Sequence, residues 1–295
     1  MNEGERKVLN VMRYRVYLDY NVIEDLSKGR TDLPAGNYDI FCSVAHGEEY
    51  YKAYCNATSE YVEAALQVKE TIKRICKKGV VLNPVKGGVR AISEKFEDCI
   101  ERIENFDTRD IVNKNGSTIF QNNKEAVSEL RKNDNNSIYN STLDGTEIWT
   151  RPEVVECLGK FPDFYENYDD LSRKALLKAY GFRAFWLEKY NQKLPKNFIL
   201  ERNCFKKEYS FALLEMVIEF LNNDVLCACG YCKDKTERTT QSGIHDVSHM
   251  IYATYCNYFV SKDSNCVKRA EAIYYYLGLT THAIHLDEFL NMKLS

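Results

Sequence analysis

The feature that most constrains the fold is a rhythm of short β-prone runs, each next to a helical pattern, at both ends of the chain. The β-prone runs are residues 14–18 (YRVYL), 39–43 (DIFCS), 258–260 and 281–284. The helical patterns beside them cover residues 44–55, 60–76, 244–258 and 265–276. Strands that alternate with helices predict an α/β fold, with a central parallel sheet flanked by helices.

The middle of the chain has a different pattern. Helical periodicity is present over residues 92–103, 171–189 and 211–221, whereas residues 106–150 are polar, rich in Asn, Asp, Ser and Thr, and without a hydrophobic period. Loops of that length are uncommon inside compact domains. We therefore predict a core formed by residues 1–80 and 206–295, and a large, mostly helical insertion over residues 81–205 with a polar loop near 106–150.

Charge and cysteine content narrow the class of protein. The 295 residues include 40 basic and 43 acidic side chains, a net charge of −3, unlike the overall basic balance of dedicated nucleic-acid-binding modules. A polyanion would therefore need a local patch or metal ions. Eleven cysteines, an odd number, show no obvious disulfide framework and indicate reduced thiols in a cytoplasmic protein. We expect no signal peptide and no membrane span, because the apolar stretches are short.

Four acidic residues follow the predicted strands or open the helices beside them. They are Asp19, Glu49, Asp246 and Asp263. Each one alone is well explained as a helix cap or as an acid favoured by the helix dipole. Because the carboxyl ends of parallel strands meet at one edge of a sheet, we expect the four to share one crevice. Clustered carboxylates of this kind bind Mg²⁺ or Mn²⁺.

Three segments resemble the PIN-domain nuclease family. VYLDYNVIEDL resembles the opening of that domain, a strand followed by Asp-x-Asn, and CSVAHGEEYYKAY resembles the second element, where a Glu follows a short strand. HDVSHMIYATYCNYFVSKDSN resembles the last, in which an acidic residue opens a helix and a short strand precedes Thr/Ser-x-Asp. The resemblance covers the two ends of the chain and implies that they form a PIN-like nuclease core.

The resemblance also implies an activity and a site. It implies a hydrolase, an endoribonuclease, that cleaves phosphodiester bonds with a metal-activated water and favours RNA over DNA. Its catalytic and metal-binding positions fall on Asp19, Glu49, Asp246 and Asp263, and the groups around them would be Asn21, Ser261, His249, His46 and Glu48. Glu48 remains an alternative to Glu49, and His245 an alternative to Asp246. A regulatory protein partner and a homodimer would both fit such a protein.

A basic stretch provides a candidate surface for the nucleic-acid backbone. Its residues are Lys69, Lys73, Arg74, Lys77 and Lys78. Such a patch can supply the salt-dependent phosphate contacts of nucleic-acid binding. The alternative is an ordinary solvated helix face, and the sequence does not separate the two.

Two other functions stay open. The chain can be a binding or regulatory protein with a PIN fold and no turnover, which four retained acids argue against. Alternatively, Cys227, Cys229 and Cys232 can hold a structural zinc ion, although C-x-C-x-x-C is not a zinc-ribbon spacing and a fourth ligand must come from elsewhere.

Overall fold

The computed structural model describes residues 13–55, 59–76, 79–85, 87–104, 144–166, 194–205, 209–232 and 246–294. The helix predicted over residues 171–189, most of the polar loop, His245, Lys77 and Lys78 lie outside these ranges.

The described residues form one six-stranded sheet. Its strands are β1 (Tyr14–Leu18), β2 (Tyr38–Ser43), β3 (Val80–Val85), β4 (Gly88–Ser93), β5 (Tyr258–Ser261) and β6 (His282–His285). They lie in the order β4-β3-β2-β1-β5-β6. All neighbours pair in parallel except β3 and β4, which form an antiparallel pair at one edge. The predicted α/β class with a largely parallel sheet is confirmed.

Helices flank this sheet. They are α1 (Tyr20–Ser27), α2 (Val44–Cys55), α3 (Ser59–Ile75), α4 (Phe96–Glu104), α5 (Pro152–Leu158), α6 (Phe211–Phe220), α7 (Ser264–Leu277) and α8 (Leu286–Asn291). A 3₁₀ turn covers Ile148–Thr150, and a π-helical segment, Leu221–Cys227, continues α6. Residues 161–166 and 246–253 are also helical and adjoin residues outside the described ranges.

The strands β3 and β4 were not predicted from the sequence, because Pro84 and the two glycines after it indicate a break. Only Val81 and Leu82 of β3 pair with β2, so Pro84 lies beyond that ladder and its missing N–H costs no hydrogen bond there. Gly88, with φ of 108°, supplies a backbone conformation that other residues rarely adopt. The predicted helix over residues 92–103 is therefore wrong at its start, since β4 continues to Ser93 and α4 begins at Phe96.

The position of β3 and β4 bears on the predicted domains. β4 and all of β3 except Val80 lie within residues 81–205, yet both strands belong to the same sheet as β1 and β2. The division into a core and an insertion remains a prediction.

The central strands are buried as parallel strands usually are. Val16, Tyr17 and Leu18 of β1 have no exposed surface, and Phe259 and Val260 of β5 are equally buried. Close packing also fixes α2 against α4. A Cβ at Gly47 would lie 2.6 Å from Ile103 Cδ1, so a larger residue at this position would require the Ile103 side chain to shift. Gly47 lies two residues before Glu49 on α2.

Candidate functional site

The strand order reverses at β1. The chain extends the sheet in one direction through β2 and β3, and it returns on the other side of β1 with β5 and β6. In open α/β sheets, ligands bind outside the carboxyl ends of the strands at such a reversal. Asp19 directly follows β1, and β5 ends at Ser261. We call the region between these two strand ends the crevice.

Asp19 is a buried carboxylate at the centre of this region. It is 4% exposed and caps α1, accepting a hydrogen bond from the backbone N of Tyr20 at 2.7 Å. Asn21 Nδ2 and Ser261 Oγ both donate to Asp19 Oδ2 at 2.6 Å. Burial raises the pKa of Asp19, and nearby Glu49 adds to this effect, while His249 opposes it. Asp19 is therefore both a helix cap and an acid whose charged form is disfavoured by burial and by the nearby Glu49.

Asp263 lies at the same crevice. Its Oδ1 accepts hydrogen bonds from the backbone N of Asn265 at 2.8 Å and of Cys266 at 3.1 Å, which caps α7. Its own backbone N donates to Ser261 Oγ at 3.1 Å. Because this hydroxyl also donates to Asp19, the Ser261 side chain joins the carboxylate of Asp19 to the backbone of Asp263, which is more than 200 positions away in the sequence.

The side chain of His249 lies between Glu49 and Asp19 and so connects Glu49 to the crevice. Glu49 Oε2 lies 2.7 Å from His249 Nε2, which lies 3.8 Å from Asp19 Oδ1. Burial lowers the pKa of His249, but the charges of Glu49 and Asp19 outweigh burial and raise the pKa to about 9. The imidazole is thus a cation at neutral pH. Glu48 instead acts electrostatically on the thiol of Cys99 in α4, so Glu49 is the acid that faces this cluster.

A buried hydrogen-bond chain supports His249 from behind. Its Nδ1 lies 2.7 Å from Tyr17 OH, which lies 2.6 Å from Ser43 Oγ. The backbone N of Ser43 donates to His46 Nδ1 at 3.0 Å, so the His46 proton is on Nε2, which donates to Leu18 O at 2.8 Å. Burial and the charge of His249 lower the pKa of His46 to about 3. His46 is therefore neutral and His249 charged.

Asp246 lies beside a buried arginine that the sequence analysis missed. Arg269 has no exposed surface, and its Nη2 donates to Asp246 Oδ2 at 3.4 Å. Its Nε donates to Asn222 Oδ1 at 3.0 Å and its Nη1 to the Cys232 carbonyl at 2.5 Å. A signal for this residue exists in the sequence. Arg269 shares a helical face with apolar residues three and four positions away, and a charge on such a face indicates a buried partner.

Each of the four candidate acids therefore contacts a protein group. Asp19 contacts Ser261 and Asn21, Glu49 contacts His249, Asp246 contacts Arg269, and Asp263 caps α7. Among the described residues, no three His, Cys, Asp or Glu side chains are grouped so as to hold a metal ion. The donors are nevertheless hard oxygen atoms, the kind that Mg²⁺ and Mn²⁺ prefer.

The basic stretch is partly neutralised where the structure describes it. Lys73 on α3 forms ion pairs with Glu70 at 3.0 Å and with Glu97 at 2.8 Å. Lys69 Nζ lies 5.6 Å from the centroid of the Tyr50 ring in α2, and Arg74 is exposed. Lys69 therefore lies close to the helix that carries Glu49.

Two of the three cysteines considered for zinc have contacts that the structure describes, and these contacts differ. Cys229 Sγ lies 3.6 Å from Cys157 Sγ, whereas the buried Cys232 offers its carbonyl to Arg269. The zinc hypothesis thus gains no support from the described residues.

In comparisons with known proteins, no family model matches this chain, and no curated protein or solved structure matches it either. None of the helices in the described part of the chain combines the length and the apolar character needed to cross a membrane.

Proposed function

We propose that this protein is a metal-dependent nuclease of the PIN type that hydrolyses phosphodiester bonds, with RNA as the favoured substrate. The observation that carries the proposal is the link from Asp19 through Ser261 to Asp263. This link joins acidic residues from the two ends of the chain at β1, where the order of the parallel strands reverses. The resemblance of these segments to the PIN family supplies the reaction class.

The four acids offer oxygen donors of the kind that a hard divalent cation binds. Asp19, Glu49, Asp246 and Asp263 would hold Mg²⁺ or Mn²⁺, which when bound would neutralise the scissile phosphate and acidify a water molecule. Ser261 and Asn21 both bind Oδ2 of Asp19, so they orient the Oδ1 atom toward the His249 side of the crevice. The two cap hydrogen bonds of Asp263 both use Oδ1, so Oδ2 is the oxygen that would bind the cation.

The chain's own residues also provide positive charge for a polyanion. His249 bears a proton at neutral pH between Glu49 and Asp19, and Lys69 lies over Tyr50 at the adjoining helix. We include Lys73, Arg74, Lys77 and Lys78 in the proposed nucleic-acid surface. Eleven free thiols fit a reducing compartment, so we place the protein in the cytoplasm. A regulatory protein partner and a homodimer belong to the same proposal.

A cleavage assay tests the proposal. Labelled single-stranded RNA and DNA are incubated with the full chain in Mn²⁺, Mg²⁺ or EDTA, comparing wild type with Asp19→Asn and Asp263→Asn. We expect metal-dependent cleavage by the wild type and at least a 100-fold loss in each variant, a typical scale for removal of a key electrostatic group. Asp287→Asn is the matched control, because Asp287 is an acid in the first turn of α8 and its side chain is 83% exposed.

Circular dichroism establishes that each variant is folded before its rate is interpreted. Cleavage that survives EDTA, or that is unchanged in folded Asp19→Asn and Asp263→Asn, would remove the metal-dependent mechanism.

A second candidate is a binding or regulatory protein with the same fold and no turnover. The observation in its favour is that every candidate acid already contacts a protein group. This candidate predicts that Asp19→Asn leaves binding of nucleic acid or of a protein partner intact, and that no metal-dependent cleavage occurs in wild type.

A further inference from the structure

Two thiols from distant parts of the chain are in contact away from the carboxylates. Cys157 lies near the end of α5, and Cys229 follows the π-helical segment Leu221–Cys227. Their Sγ atoms are 3.6 Å apart, and both side chains are half-buried. A disulfide requires about 2.0 Å between the sulfur atoms, so a side-chain movement of under 2 Å would close the bond.

The position of this pair favours reaction with a small molecule. Both thiols are partly accessible, whereas Cys99, Cys256 and Cys266 are fully or almost fully buried. Exposure and a neighbouring thiol that can resolve a mixed disulfide are the features of redox-sensitive cysteines. Cys157 and Cys229 have both features.

We propose that Cys157 and Cys229 form a reversible intramolecular disulfide by exchange with a low-molecular-weight disulfide. The Cys157 thiolate attacks one sulfur of that molecule, which releases one small thiolate and leaves a mixed disulfide on Cys157. Cys229 then loses its proton and attacks Cys157 Sγ, which releases the second small thiolate. Two protein thiols are oxidised, and one small disulfide is reduced to two thiols.

The order of attack follows from the surroundings of the thiols. Burial, together with the adjacent Cys157, raises the pKa of Cys229 to about 12. Cys229 therefore resists ionisation and acts second, when the mixed disulfide is already held beside it. This order predicts that the Cys229→Ser variant stops at the mixed disulfide.

The disulfide would stabilise the segment that binds Arg269, the partner of Asp246. It would tie α5 to the chain just after the π-helical segment, and Asn222 of that segment binds Arg269, the partner of Asp246. The cross-link would close a loop of more than 70 residues, and long loops gain most from closure in chain-entropy models. We therefore expect the oxidised protein to melt at a higher temperature than the reduced protein.

Peptide mapping tests the proposal on the full chain. The reduced protein is incubated with oxidised glutathione, remaining thiols are alkylated, and non-reducing digests are analysed by mass spectrometry. We expect one peptide pair joining Cys157 to Cys229, a loss of two free thiols per chain, and a rise in melting temperature that dithiothreitol reverses. The Cys229→Ser variant should retain glutathione on Cys157 and show no rise.

Cys227→Ser is the matched control, because Cys227 is two positions from Cys229 and is also half-buried. It should form the same cross-link as wild type. A wild-type digest without the linked pair, or with Cys229 joined to another cysteine, overturns the proposal. None of these readouts depends on nuclease activity, so failure here and failure of the proposed function are separate outcomes.

Discussion

Two buried cations lie against three of the four candidate acids, and they differ in kind. His249 lies between Glu49 and Asp19, whereas Arg269 lies against Asp246. Both cationic side chains are about 1% exposed. The imidazolium loses its proton within the accessible pH range, while the guanidinium keeps its charge throughout. The positive charge beside Asp19 therefore depends on pH, whereas the positive charge beside Asp246 does not.

This difference separates two roles within one cluster of acids. In the proposed metal-bound state, a divalent cation beside Asp19 would favour loss of the His249 proton, because a second positive charge lowers the pKa of the imidazole. No such proton loss is available to Arg269, which also binds Asn222 and a backbone carbonyl. We infer that Asp19 and Glu49 form the adaptable half of the crevice and that Arg269 and Asp246 form its rigid half.

Removing the permanent cation should have the largest effect. Arg269→Met leaves Asp246 and Asn222 without their buried partner, and breaking a buried pair typically costs about 3–5 kcal/mol. We expect the free energy of unfolding, measured by urea denaturation, to fall by that amount. Arg74→Met, which replaces an exposed arginine on α3, is the control and should change stability by under about 1 kcal/mol. If Arg269→Met also lowered the free energy of unfolding by under about 1 kcal/mol, the pair of Arg269 and Asp246 would not be the rigid half of the crevice.

The conditional cation should make stability depend on pH at alkaline values. The folded pKa of His249 is about 9, above its ordinary value of 6.5, so the folded state binds the proton more tightly. The stabilisation is complete below pH 6.5 and is lost as pH rises through about 9. We expect a loss on the order of 3 kcal/mol between these limits. Urea denaturation from pH 6 to pH 10 measures it.

His249→Gln provides the comparison for that pH series. It keeps a polar side chain and removes the titration, so the difference in unfolding free energy between wild type and variant should shrink as pH rises. Equal slopes for the two proteins would show that His249 is not the buried cation described here.

The hydrogen bond behind the imidazole should have the smallest effect. Tyr17→Phe removes the hydroxyl that joins His249 Nδ1 to Ser43 Oγ, and an unsatisfied buried partner costs about 1–3 kcal/mol. Tyr14→Phe on the same strand is the control, because the Tyr14 side chain is 37% exposed. Nitrogen NMR of the His249 ring should also change in Tyr17→Phe. An unchanged ring signal together with unchanged stability would contradict the hydrogen-bond chain.

The fold was predictable where local pattern and tertiary pairing agree. The runs at residues 14–18, 39–43 and 258–260 are strands in the structure, because apolar and β-branched residues suit a buried parallel sheet. β3 and β4 were missed because Pro84 and Gly88 indicate a break in any local pattern. Pro84 and Gly88 are tolerated because β3 pairs with β2 over only two residues. The local sequence of residues 80–93 does not reveal that pairing.

The sequence by itself determined that Asp19 and Asp263 each follow a strand and precede a helix, because both features depend on neighbouring residues alone. Only the tertiary structure decided that Ser261 joins the Asp19 carboxylate to the backbone of Asp263, that Glu49 contacts His249, and that Arg269 pairs with Asp246. The physical reason is that charge pairing depends on distance in space. Strand order and helix packing bring together residues that hundreds of positions separate in the chain.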